Sequence, residues 1–322
     1  MKKLTLVLFV TLTAIPFVYS QKRYGGKYTG GRYRTTWKAN LGDRFELVGG
    51  VGMINFLGEL GGANDIGTNF LADFDFEALR PNLTLGVRYR YNRFLAQKIN
   101  FSFGWIKGAD RYTEEPARRN RNLEFRSQLM EWGTALEFYF LPEKNVGNRY
   151  RNRGLKGSKG RPVLGYISTG INGFWFDPTA DGPDGEAYPL QPLSTEGQGL
   201  IPGREPYSRW EFNIPVNLGF IFKINPALAI NVEFGYRKTF TDYMDDVSTT
   251  YANPAVFTNP LSAYFADHSL ATLDPSSPYA IPGASSPGQQ RGDPRDNDSY
   301  MVMFVSVTYK FSYFGKSIPK YY

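Results

Sequence analysis

The sequence predicts an all-β chain closed as an eight-stranded antiparallel transmembrane β-barrel with long surface loops. Three observations predict it. Apolar residues recur at every second position in several separate stretches. The connections between these stretches alternate between long and short, as in outer-membrane barrels. An apolar leader of the kind used for export precedes them. Composition agrees: 25 Phe, 22 Tyr and 5 Trp with 34 Gly and 21 Pro favour short strands joined by turns.

Met1-Lys2-Lys3 gives a positive start, Leu4 to Val18 is nearly unbroken apolar sequence, and Ser20 offers a small residue for cleavage. Residues 1–20 are therefore expected to be a signal peptide, with the mature chain starting at Gln21. A membrane anchor needs about 20 apolar residues, and this stretch is shorter and holds Pro16. Residues 21–43 follow as a basic N-terminal segment, 44–311 as the barrel and 312–322 as a tail.

Two Gly-rich stretches, about 45–59 and 162–176, are strand candidates whose facing is ambiguous. Six others alternate cleanly. They are Leu83 to Tyr91, Ile99 to Trp105, Met130 to Phe140, Phe212 to Phe222, Leu228 to Tyr236 and Met301 to Phe311. Long connections fall near 61–82, 108–125, 177–209 and 237–299, and tight turns at Asn92-Arg93-Phe94 and Asn225-Pro226. The 141–161 connection breaks the pattern by its length.

A soluble sandwich would turn the apolar row inward; a barrel turns it to lipid and faces Arg, Glu and Asn to the lumen. Strand length and aromatic clusters at strand ends, such as Tyr89-Tyr91 and Phe138-Tyr139-Phe140, favour the barrel. The inward row would then carry Arg88, Arg90, Glu131, Glu137, Glu211, Glu233 and Arg237. Eight strands enclose a space that side chains can fill, and unpaired charges there would be costly. A salt-bridged plug is expected rather than a pore.

Charge is uneven. Residues 21–44 hold seven basic side chains against Asp43, and 141–161 hold seven against Glu143. Strand parity puts both on the periplasmic side with Lys316 and Lys320, and puts Asp242, Asp245 and Asp246 among the surface loops. Arg149, Arg151, Arg153, Lys156 and Lys159 are the candidate partner-binding residues, since a basic face suits anionic lipid or an acidic partner. A lipid-facing rim is the plain alternative. Nucleic acid does not suit an exported protein.

The catalytic inventory is thin. No Cys is present, so disulfides, thiolate metal sites, Cys nucleophiles and lipoprotein processing are excluded. The single His268 lies in Asp267-His268-Ser269, and immediate neighbours rarely form a hydrolytic relay, so a solvated loop histidine is expected. The Asp242-Tyr243-Met244-Asp245-Asp246 group lacks the alternating ligands and Gly turn of a calcium loop and is expected as a solvated rim. Gly49-Gly50-Val51-Gly52 is not a dinucleotide fingerprint; it suits bending or close packing in a strand. No cofactor is expected.

Several blocks resemble the PorG family, outer-membrane barrels associated with the type IX secretion system. They are Arg80-Pro81 with Tyr89-Arg90-Tyr91-Asn92, Arg118-Arg119-Asn120-Arg121-Asn122-Leu123 with Phe125-Arg126-Ser127, and Leu190 to Gly199. Glu233 to Tyr243 with Asp245-Asp246-Val247-Ser248, and Gln290-Arg291-Gly292-Asp293-Pro294, complete the set. The resemblance implies an OmpA-like outer-membrane barrel, linked with the periplasmic PorK and PorN ring and the PorM shaft of a protein-exporting machine. It supplies no catalytic residues. Other expectations stay open beside it: a stand-alone integrity or adhesion barrel, or a lipid-modifying outer-membrane enzyme.

Overall fold

The computed structural model describes residues 44–60, 78–113, 115–143, 163–225 and 227–311, all within the unit Ala39–Tyr322. The export signal at 1–20, its cleavage at Gln21, the basic segment 21–43, the cluster Arg149 to Lys159 and the tail 312–322 lie outside the described residues.

Eight long strands form the wall: β1 Phe45–Leu57, β2 Arg80–Arg90, β3 Leu95–Ala109, β4 Glu124–Leu141, β5 Val163–Asp181, β7 Trp210–Lys223, β8 Leu228–Thr239 and β9 Ser299–Lys310. Each pairs antiparallel with its chain neighbour, β1 pairs with β9 to close the ring, and β4 pairs with β5. Closure removes the free edges that an open sheet would expose to lipid. A ninth, three-residue strand, β6 Ala187–Pro189, folds back on the end of β5 and adds nothing to the wall. Strands β3, β4 and β5 run farther than the alternation alone suggested, because their upper ends pair with each other above the apolar belt.

The facing separates barrel from sandwich. Val51, Leu85 and Ile99 stand 61%, 65% and 61% exposed on the outer wall, with Phe101, Leu136, Ile167, Val216, Phe234 and Val305 around the same belt. The alternate residues are buried inside. Such a continuous apolar surface is stable only against lipid. Aromatic pairs flank the belt at both ends. Phe45–Tyr89 and Phe140–Phe220 lie at the end of the short turns, and Phe103–Trp105 and Trp132–Trp210 toward the other end.

The long connections β1–β2, β3–β4, β5–β7 and β8–β9 share one end of the barrel, called here the loop end; the tight turns lie at the turn end. Asn92 and Asn225 build those turns alike, each side chain accepting from two backbone amides that follow it. The β8–β9 connection is not an open loop: it carries the short helices α2 Pro260–Ala266 and α3 Leu270–Leu273 and is braced against α1 Pro116–Arg121 of the β3–β4 connection. Asn259 and Glu115 cap α2 and α1 through their side chains.

Candidate functional site

The inward row of the barrel builds a charge ladder. In its lowest rung Arg90 grips Glu46 with a forked pair at 2.6 and 3.2 Å, Glu46 also takes Arg88 at 3.2 Å, and Arg88 reaches Glu137 at 2.6 Å. The Tyr139 hydroxyl donates to Glu137 at 2.7 Å, and its ring lies under the Arg90 guanidinium. In the middle rung Lys98 meets Glu233 at 2.5 Å, and Tyr166 donates to the same carboxylate at 2.5 Å. In the upper rung Glu131 accepts from Arg237 and Asn213 at 3.0 Å each and from Tyr300 at 2.6 Å. Arg237 also donates to Asn217, which donates to Ser168, and Arg88 of the lowest rung lies over the ring of Tyr166 in the middle one.

The ladder pairs four cations with four carboxylates, so the lumen carries no net charge through these groups. Neutrality is what makes burial tolerable, since each ion alone would cost several kcal/mol on leaving water. Glycine makes the room. A Cβ at Gly219 would overlap the Tyr166 ring, and one at Gly235 would overlap Asn217 and Arg237. Gly50 and Gly52 likewise let β1 approach β9 closely.

Six of the seven lumen residues read from the sequence are buried in this ladder: Arg88, Arg90, Glu131, Glu137, Glu233 and Arg237. Glu211 faces inward but stands half-buried at the loop end of β7, outside the upper rung. Two members were missed. Glu46 lies in the Gly-rich stretch whose facing was ambiguous, and Lys98 sits one residue before the first clearly alternating position of β3.

Above the ladder the lumen turns apolar. Ile54, Phe56, Ile106, Phe125, Leu129, Phe174, Phe176, Val302 and Phe304 form a collar, closed from outside by Leu60, Leu190, Met244, Val247 and Phe265 of the connections. Four of the five sequence blocks quoted for the PorG resemblance, all but the one in β2, send residues into this cap, where they bind one another. Glu196 accepts from the amides of Ser248 and Thr249, from the Thr249 hydroxyl and from Arg291. Arg291 is buried and also donates to the Asp246 carbonyl at 2.7 Å. Asp246 accepts from Tyr207 at 2.7 Å and from Thr195 at 2.5 Å, and Tyr207 stacks on Tyr243 with centroids 4.7 Å apart. Arg121 ties the β3–β4 connection in through Asp110 at 2.7 Å and through the carbonyls of Glu59 and Arg291.

Two expectations need correction here. Asp242, Asp245 and Asp246 are not a solvated rim: they stand 7%, 1% and 0% exposed inside the cap. The short-range sequence shows a polar run, whereas its partners come from far along the chain: the Leu60 amide on Asp245, and Thr195 and Tyr207 on Asp246. Nor is His268 a solvated loop histidine. It is half-buried, with Nδ1 2.9 Å from the Asn122 carbonyl and Nε2 2.9 Å from the Tyr264 hydroxyl. A carbonyl can only accept, so Nδ1 carries a proton and donates it to Asn122. Ser269 bonds instead to Thr272 and Ser285, and Asp267 to the same two residues, so these neighbours form a turn and not a relay.

Residues 45–182 match a family model described as "Domain of unknown function (DUF6089)", a span running from β1 through β5. No curated protein matches the sequence. Among solved structures, Neisserial surface protein A is similar at 9% identity, with 83% of this chain and 96% of that chain covered and a TM-score of 0.37. The attachment invasion locus protein Ail of Yersinia pestis is similar at 10% identity over 83% and 97%, with a TM-score of 0.33. The outer membrane protein OprG of Pseudomonas aeruginosa is similar at 9% identity over 83% and 95%, with a TM-score of 0.36.

Proposed function

We propose that this chain is a non-catalytic barrel of the bacterial outer membrane that serves as an anchoring component of a type IX protein secretion machine. The single observation that carries the non-catalytic, non-conducting part is the filled lumen: a neutral charge ladder beneath an apolar collar, closed by a cap whose connections are bonded to one another. Such an interior supports a rigid scaffold. The lipid-facing belt and the export-type leader support placement in the outer membrane. The machine and its partners rest on the PorG resemblance of the cap and strand blocks. On that reading the PorK and PorN ring and the PorM shaft meet the turn end, where the basic connection with Arg149, Arg151, Arg153, Lys156 and Lys159 joins β4 to β5.

Neutralising those five residues together tests the proposal. Solvated charges contribute little to stability, so the variant should insert and fold as the parent does. Ring proteins should co-purify less in detergent and cargo export should fall, with the parent losing ring proteins as salt rises, because screening acts on the same contacts. Unchanged co-purification and export would overturn this docking assignment, and absence of ring proteins from the parent preparation would overturn the secretion role.

A further inference from the structure

The cap holds more acid than its cations can balance. Arg121 serves Asp110 and lies 3.7 Å from Glu59, and Arg291 serves Glu196. Asp242, Asp245 and Asp298 are 7%, 1% and 1% exposed, and none of them forms an ion pair among the described residues. Backbone amides supply part of their bonding. Leu60 and Val247 donate to Asp245 at 3.3 and 3.1 Å, and Met244 donates to Asp298 at 2.8 Å. One oxygen of Asp298 and both oxygens of Asp242 are buried without a hydrogen-bond partner. A buried carboxylate left in that state is far too costly to persist ionised, so something positive must neutralise it. Among the described residues no three acidic or imidazole groups stand together as metal ligands. The proton is the remaining candidate.

We propose that Asp242, Asp245 and Asp298, with Glu59 at their edge, hold protons that lock the cap onto the barrel mouth, and that their ionisation loosens it. Four elements meet at this cluster. Glu59 comes from the end of β1, Asp110 and Arg121 from the β3–β4 connection, and Glu196 and Tyr207 from the β5–β7 connection. The β8–β9 connection brings Asp242, Tyr243, Asp245, Asp246, Tyr251, Arg291, Asp293 and Asp298.

Burial leads the shift at every acid. It pushes Asp242 up to about 9, reinforced by repulsion from Asp245, Glu59 and Glu196 and opposed by the neighbouring Ser248. It raises Glu59 to about 7 against the Asp293 amide and Arg121. Asp245 and Asp298 go well above the ordinary carboxylate range, Asp298 with added repulsion from Asp245 and Asp242. The folded cap therefore binds more protons than the unfolded one. Its stability is full below the ordinary value of 3.8 and falls as pH rises, through about 7 for Glu59 and about 9 for Asp242.

Hydrogen exchange on the purified full-length protein in lipid nanodiscs tests this. After correction for intrinsic rates, protection of the amides of Leu60, Met244 and Val247 should fall at least about tenfold from pH 5.5 to 8.5, the loss that one unit of differential protonation gives. Amides in the middle of β8 should not change. In D242N/D298N, where a neutral amide replaces each protonated acid, the fall should be at least about threefold smaller than in the parent, Asp245 and Glu59 carrying the remainder, with Asp242→Asn alone giving an intermediate fall. The single variant replaces one carboxylate with a group of nearly the same shape and loses no ion pair among the described residues, so it keeps the test open if the double variant does not fold. Equal pH dependence in parent and variants would overturn the proposal. So would protection restored at pH 8.5 by calcium, which would put a metal in the proton's place.

Discussion

Glu137→Leu should be among the most damaging single changes in the lumen. Glu137 is fully buried, and it takes Arg88 at 2.6 Å and the Tyr139 hydroxyl at 2.7 Å. Without it, Arg88 keeps only Glu46, at 3.2 Å, and must share that carboxylate with Arg90, which already holds it by two bonds. Two guanidiniums would then face one carboxylate with no water to relieve them. Removing one partner of a buried pair costs about 3–5 kcal/mol, and the stranded Tyr139 hydroxyl adds about 1. Partial retention by Glu46 offsets some of this, so about 3–4 kcal/mol is expected, roughly a 200- to 1000-fold shift toward the unfolded state. The double variant Arg88→Met with Glu137→Leu removes both charges and leaves Glu46 and Arg90 as an intact pair, so it should cost less than the single change. Equilibrium urea unfolding in lipid vesicles, read by the fluorescence of outer-wall Trp132 and Trp210, measures both. A single variant within about 1 kcal/mol of the parent, or a double variant worse than the sum of the singles, would refute the ladder as a coupled charge system.

Other consequences follow from the same interior. Glu196→Ala strips acceptors from Ser248, Thr249 and Arg291, so limited proteolysis should nick the 240–298 connection while the barrel keeps its heat-modifiable mobility on gels. Gly219→Val should displace the Tyr166 ring from Glu233 and cost about 1–3 kcal/mol by overpacking in the same unfolding assay. Purified protein in planar bilayers should show no large steady conductance, because side chains fill the lumen. His268→Ala should leave membrane lipid composition unchanged by mass spectrometry, because its ring nitrogens are held by the Asn122 carbonyl and the Tyr264 hydroxyl, and Asp267 and Ser269 bond elsewhere.

The alternation of Leu83 to Tyr91, Met130 to Phe140 and Phe212 to Phe222 was enough to give an all-β chain, and strand length, aromatic strand ends and the alternating connection lengths turned it from a sandwich to a barrel. A strand turns each successive side chain to the opposite face, so a period of two records a sheet with two unlike environments. The same period identified six of the buried ladder residues, because charge on the non-lipid face of a closed barrel has nowhere else to go. Glu46 escaped it because glycines blur the facing of β1. Partner choice was beyond it altogether: Lys98 finds Glu233 across 135 residues of chain, and only ring closure brings β3 and β8 to opposite walls of one lumen. The cap shows the limit most plainly. A run such as Asp242 to Asp246 reads as solvated by local composition, yet it is buried, and Leu60, Thr195 and Tyr207 reach it from other connections. Periodicity is a local property and survives in the sequence. Burial of a loop acid is set by whatever segment folds over it, and that contact exists only in the tertiary structure.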